Sequence, residues 1–237
     1  MRVLILTTDT LHHSWFAHRL QELGHAVHAI AETGSLSFPF DTAHPFEVQR
    51  DEYERELWFG GEQTALADVV PTSFCGSVNE ESSHSMMEAF GPEAVVLFGT
   101  GIVREPLILR FGDRLFNLHG GDPERYRGLD THLWAIYHSD FEALVTCLHR
   151  VASQLDTGDI VQEGALALRS GMELHELRAE NTRVCVNLVG ALLATMEKGL
   201  EVSTRSQKQK GRYYSAMPVE MKQLCLKRFQ KYTSKIL

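Results

Sequence analysis

"RVLILTTDTLHHSWFAHRLQELGHAVHAIAE", Arg2 to Glu32, decides the fold class. It opens on RVLILTT, an unbroken apolar and β-branched run, the pattern of a strand covered on both faces in a parallel sheet. In SWFAHRLQELG, Phe16, Leu20 and Leu23 recur at helical spacing and Gly24 supplies the stop. HAVHAIAE is the next strand. Strand, helix and strand within about thirty residues make a βαβ unit. The expected class is therefore α/β, doubly wound, with a mainly parallel central sheet.

Further along, residues 33–61 are rich in Gly, Ser, Pro, Phe and charge, and predict an irregular excursion with a short helix in DEYERELWF. DVVPTSF reads as an edge strand because of Pro71. NEESSHSMMEAFG and REPLILRFG read as helices; EAVVLFG and RLFNLH read as buried strands. DTHLWAIYH predicts a helix, ALVTCLHRV and DIVQEGALAL two strands around the turn LDTGD, and residues 172–199 one long amphipathic helix with Leu177, Val184, Leu188 and Leu192 on one side. A last helix is expected from Val219, just after Pro218. Its Met221, Cys225, Tyr232 and Ile236 close the monomer or pair two chains in a homodimer. The expected division is a body over residues 1–200 and an extension over 201–237.

Composition sets bounds. The chain has 237 residues, 43% hydrophobic and 23% charged, with a net charge of −8, which are globular values. No apolar run is long enough for a transmembrane helix, and the short apolar start reads as a strand rather than a signal peptide. Cys75, Cys147, Cys185 and Cys225 form no CxxC pair and are expected reduced and buried, which fits the cytoplasm. From Arg205 onward nine Lys/Arg face the single acid Glu220, leaving 14 basic and 30 acidic residues upstream. So acidic a body argues against a nucleic-acid partner. The basic tail is either a solvated helix or a contact for a small phosphorylated ligand.

The chemistry gathers in FNLHGGDPERYRGLDTHLW, Phe116 to Trp134, at the carboxyl end of a central strand, where open α/β sheets place their ligands. Asn117 and His119 stand two apart and leave the same strand face. Together they are either a structural pair or an acyl-transfer pair, an amide to stabilise an oxyanion beside an imidazole to relay a proton. Arg125 and Arg127, in the loop that follows, could meet a phosphate or carboxylate. The turn QLDTGDI supplies Asp156 as a third member of such a set. FGTGIV lacks the third Gly of a dinucleotide fingerprint. The twelve His show no metal-ligand spacing, so no metal is expected.

Asn117-x-His119, the Pro-containing loop ending Tyr126-Arg127-Gly128, the Trp134-Ala135-Ile136 helix and Leu155-Asp156-Thr157-Gly158-Asp159-Ile160 together resemble the folate-dependent formyltransferase family. That family includes glycinamide ribonucleotide transformylase, methionyl-tRNA formyltransferase and the N-formyltransferases of nucleotide-linked amino sugars. The likeness spans about residues 1–200 in element order. It implies Asn117, His119 and Asp156 as the catalytic set and N10-formyltetrahydrofolate as formyl donor. The donor's pterin would be held largely by main-chain groups of Phe98, Gly99, Thr100, Gly101, Ile102 and Val103 and of Val151, Ser153, Gln154 and Leu155.

On the acceptor side, where many members read His-Pro-Ser-Leu-Leu-Pro, this chain has His119-Gly120-Gly121-Asp122-Pro123-Glu124-Arg125. With the GRYYSAMP segment, that form looks most like the sugar-nucleotide enzymes, in particular those acting on GDP-perosamine. Gly121, Asp122, Arg125, Tyr126, Arg127 and His132 are the implied acceptor contacts. Asp130 is either a helix N-cap or a sugar contact; Tyr213 and Tyr214 either pack the last helix or wall a nucleotide base. A tRNA-type barrel domain is not expected in the 35 or so residues after 200, nor a regulatory domain ahead of a first strand that begins at Arg2.

Overall fold

The opening unit folds as its pattern demands. In the computed structural model, which describes residues 1–34 and 37–236, β1 (Arg2–Thr8), α1 (Leu11–Glu22) and β2 (Ala26–Glu32) form a parallel βαβ unit with Arg2 opposite Ala26. β3 (Thr72–Cys75), β4 (Ala94–Phe98), β5 (Leu115–His119), β7 (Val145–Arg150) and β8 (Ile160–Ala165) complete a seven-stranded sheet in the order β3-β2-β1-β4-β5-β7-β8. The first five strands are parallel; β7 and β8 run antiparallel at one end. The strand order reverses between β1 and β4, and that is where a doubly wound sheet opens a crevice.

Alternation along the strands builds two layers. Val3, Ile5, Val96, Phe116 and Leu118 point to one face, packed with α1, α6 (Thr131–Tyr137), α7 (Leu177–Glu197) and α8 (Val219–Thr233). Leu4, Leu6, Val95, Leu97 and Leu115 point to the other, under α4 (Glu81–Phe90) and α5 (Glu105–Phe111). All four cysteines are buried and free. No helix among the described residues is long and apolar enough to cross a membrane.

Three segments differ from expectation. Residues 35 and 36 of the excursion lie outside the described residues, but most of the rest is α2 (Pro45–Phe59), fifteen residues rather than a short helix. Its signals are terminal, not periodic: Pro45 opens the first turn, Glu47 accepts the His44 N–H at 2.9 Å, and Gly60 ends it in the left-handed conformation. DVVPTSF is strand only from Thr72. Its Val69 ends a single helical turn, α3 (Leu66–Val69). The Tyr126–Gly128 segment, read as loop, is β6, paired in parallel with β9 (Arg212–Tyr214). The last helix turns Cys225 and Phe229 into the main core, and Tyr232 stacks on Phe141 at 3.8 Å between centroids.

Candidate active site

At the end of β5 the side chains of Asn117 and His119 meet Asp156, which the β7–β8 turn carries in the left-handed conformation (φ 54°). Gly158 lets that turn fold back, since a Cβ there would lie 1.7 Å from the Arg150 carbonyl oxygen. Asp156 Oδ2 accepts the Gly128 N–H at 2.9 Å, and the Gln207 amide donates to the carbonyls of Asp156 and Gly158, both at 2.9 Å. Oδ1 is left facing Asn117 Nδ2 at 3.4 Å and His119 Nδ1 at 3.6 Å.

His149 is the member that sequence reading missed. The antiparallel register sets it opposite Asn117, beside a bulge between Leu148 and His149. Its Nδ1 donates to the Arg150 carbonyl at 2.7 Å, so Nε2 is bare and accepts from Asn117 Nδ2 at 3.0 Å. That contact fixes the amide with its nitrogen toward the site. The only sequence signal is a polar residue at the end of an otherwise buried strand.

His119 Nε2 lies 2.8 Å from the Tyr126 carbonyl oxygen, a partner that requires a proton on Nε2. Nδ1 therefore faces Asp156 unprotonated. Burial pulls the His119 pKa below its ordinary value, with Asp156 opposing, so the resting ring is neutral rather than the imidazolium a preset oxyanion donor would be. Burial alone would raise Asp156. The charge of a protonated His119 and the Gly128 N–H outweigh it and hold the carboxyl down to about 2.

A cavity of about 730 Å³ opens over these groups, within the range of small-ligand sites. Phe98 to Val103, Val151, Ser153, Gln154 and Leu155 all line it, as do Asp130, His132 and Tyr213. Glu32 shapes the first of these loops, accepting from Thr100 Oγ1 at 2.9 Å, the Gly101 N–H at 2.6 Å and the Val78 N–H at 2.9 Å. The N–H groups of Val103, Ala152 and Ser153 have no protein partner among the described residues. Main-chain donors of this kind suit the amide-like edge of a pterin. Among the described residues, no three His, Cys, Asp or Glu side chains converge as metal ligands would.

Other expected acceptor contacts do not line the cavity. Arg125 pairs with Asp140 at 3.1 Å, and Arg127 is buried, donating to the carbonyls of Gly211 at 2.7 Å and Leu155 at 2.8 Å. The Tyr126 hydroxyl donates to Asp140, Asp122 caps its own turn by accepting from the Glu124 N–H, and Gly121 packs against Thr131 and His119. Tyr214 stacks on Trp134 and Tyr126, while its exposed neighbour Tyr213 reaches the cavity. Asp130 makes no side-chain cap and instead accepts the Met217 N–H at 2.8 Å. His132 donates to the Val145 carbonyl at 2.7 Å, and burial lowers its pKa to about 4. His12, His13, Arg50, Arg178 and Asn181 line the cavity without having been expected there.

Residues 72–183 match the formyl transferase family. The matched segment holds Asn117, His119, His149 and Asp156. A methionyl-tRNA formyltransferase of Rhodopseudomonas palustris is 32% identical over 131 residues, 54% of this chain and 41% of that protein. The chain spans about two fifths of the length of the curated relatives it matches. The formyltransferase PseJ of Anoxybacillus kamchatkensis, solved with UDP-4,6-dideoxy-4-formamido-L-AltNAc and tetrahydrofolate, superposes with a TM-score of 0.55 at 16% identity, over 91% of this chain and 86% of PseJ. Glycinamide ribonucleotide transformylase 1 of Symbiobacterium toebii gives 0.58 at 16%, over 88% and 94%. The fold is that of the formyltransferases.

Proposed function

We propose that this chain moves a formyl group from N10-formyltetrahydrofolate to the primary amine of a nucleotide-linked amino-deoxy sugar, with GDP-perosamine as the specific acceptor. The observation that carries the reading is the convergence of Asn117, His119 and His149 on one free oxygen of Asp156. Formyl transfer between two amines needs an oxyanion donor and a proton route from the incoming nitrogen to the departing one. One Asn117 N–H is held by His149. The other makes only the 3.4 Å contact to Asp156, which a developing oxyanion can displace. Neutral His119 accepts a proton at Nδ1, where the Asp156 carboxylate stabilises the imidazolium and from which the proton can return. The Gly-Gly-Asp-Pro loop and the GRYYSAMP segment support the sugar-nucleotide acceptor, and PseJ, solved with a formamido sugar nucleotide, is in keeping with it.

The test mixes the protein and formyl-folate with amino-sugar nucleotides, glycinamide ribonucleotide and small peptide amines, following folate absorbance. Turnover is expected with an amino-sugar nucleotide. His119→Asn and Asp156→Asn should each lower it at least about a hundredfold with an unchanged circular dichroism spectrum. Turnover only with another amine would reassign the acceptor. Tight sugar-nucleotide binding without any turnover would make the chain a silent binding module.

A further inference from the structure

β6 is three residues long, and each of the three holds part of the acid–base centre. The Tyr126 carbonyl accepts the His119 Nε2–H at 2.8 Å, and the Gly128 N–H donates to Asp156 Oδ2 at 2.9 Å. Arg127, between them, acts through its side chain. Its Nε–H donates to the Gly211 carbonyl at 2.7 Å and its Nη1–H to the Leu155 carbonyl at 2.8 Å. That second carbonyl belongs to the Leu155–Asp156 peptide, so the guanidinium grips the backbone that leads directly into Asp156.

Arg127 faces neither solvent nor an acid. It is only 8% exposed and pairs with no carboxylate among the described residues. Taking a guanidinium out of water carries a desolvation cost, which charge-assisted bonds to two carbonyls offset. Asp156 is a residue that needs such support. Its φ of 54° is left-handed, an uncommon conformation for a side chain with a Cβ. The Gln207 amide holds the carbonyl on its far side at 2.9 Å, and Arg127 holds the one on its near side. Gly211, the other anchor, is itself fixed. Its N–H donates to the Pro123 carbonyl at 3.1 Å, and a Cβ there would lie 2.4 Å from that oxygen. A planar guanidinium offers its donors in a rigid fork, and this fork ties the β7–β8 turn to the segment that orients His119.

We infer that Arg127 is a positioning residue: it holds the Leu155–Asp156 peptide so that the Asp156 carboxylate stays against His119 Nδ1. Its effect on rate rests on the formyl-transfer reading; its effect on the His119–Asp156 pair does not. Burial lowers the His119 pKa most; Asp156 opposes that, His149 adds to it, and the Tyr126 carbonyl and Asp122 oppose it more weakly. A carboxylate that drifts away removes an upward pull, so His119 should then titrate lower still.

Two variants test the role. Arg127→Lys keeps the charge but offers one nitrogen for two carbonyls, and Arg127→Met removes both bonds. The His119 ring is followed by heteronuclear NMR across pH, its signal assigned by its loss in His119→Asn. In both variants His119 should titrate below its position in the natural protein. Arg127→Met should lower kcat about ten- to a hundredfold and Arg127→Lys less, with the KM for the formyl donor within a factor of about two. Arg183→Gln, which removes an exposed guanidinium from α7, should change none of these. An unmoved His119 titration in a folded variant, full kcat in Arg127→Met, or a raised donor KM with kcat intact overturns the role. So does failure of both variants to fold, which would make Arg127 structural only. A natural protein that formylates no amine, with His119 still shifted in the variants, would uphold Arg127 and sink the formyl-transfer reading instead.

Discussion

At the scale of single residues, the site turns on which nitrogen carries which proton. His149 Nδ1–H and His119 Nε2–H are both committed to backbone carbonyls, so each ring turns a bare nitrogen toward the Asn117–Asp156 centre. For His149 that nitrogen holds the Asn117 amide; for His119 it is the proton acceptor of the proposed reaction. His149→Ala should lower kcat by about ten- to a hundredfold, because a freed amide misplaces its donor, while the KM for the formyl donor stays within a factor of two or so. Steady-state kinetics decide it: a raised KM with kcat intact would make His149 a binding residue instead. Asn117, His119 and Asp156 were legible in the sequence because two sit at strand spacing and the third in a recognisable turn. His149 was not, since its role depends on antiparallel register and a bulge that no local pattern announces. Arg125 and Arg127 show what a local pattern omits: their chemistry suits an anion, but the fold pairs them with Asp140 and with two backbone carbonyls.

Among the elements, strands and helices with clear periodicity were readable, and the departures lie where end signals or pairing decide. α2 forms by capping at His44–Glu47 and by Gly60 rather than by an apolar stripe, and it brings Arg50 to the cavity, so missing the helix meant missing the residue. β6 exists only because β9 returns to pair with it, a contact across more than eighty residues. The loop after β4 is likewise set from a distance, by Glu32 at the end of β2. Glu32→Gln keeps the length of the side chain but loses an acceptor for the Thr100, Gly101 or Val78 donors. It should raise the KM for formyl-folate about tenfold while leaving kcat at saturation near that of the natural protein. An unchanged KM in donor-titration kinetics would separate this loop from donor binding.

For the molecule as a whole, buried neutral histidines set the response to acid. His12, His13, His119 and His132 all have pKa values pulled below the ordinary 6.5, His13 to about 3 and His132 to about 4. Below pH 6.5 the unfolded chain binds protons that the folded chain refuses, so stability falls with pH. At pH 5 a group such as His13 costs about 2 kcal/mol, and several such groups consume much of a typical domain's margin of roughly 5–15 kcal/mol. Asp156, held down to about 2, adds a loss only later, as pH falls from about 4 toward 2. Melting temperature should therefore begin to drop near pH 6.5, well before the carboxylates titrate. A flat melting temperature from pH 7.5 to 5 by circular dichroism would contradict it.

The segment after α7 has a consequence beyond packing. Gln207 clasps the turn that carries Asp156, and β9 lies against the strand whose Gly128 N–H holds the Asp156 carboxylate. The stretch that lines the cavity through Tyr213 is thus the same stretch that steadies the Asp156 carboxylate. On the proposed reading, acceptor choice and catalytic rate are therefore not separable modules. Exchanging residues 205–214 for those of a relative, to borrow its acceptor, would also retune the acid–base centre, so a new specificity and the rate at which it is exercised must be selected together.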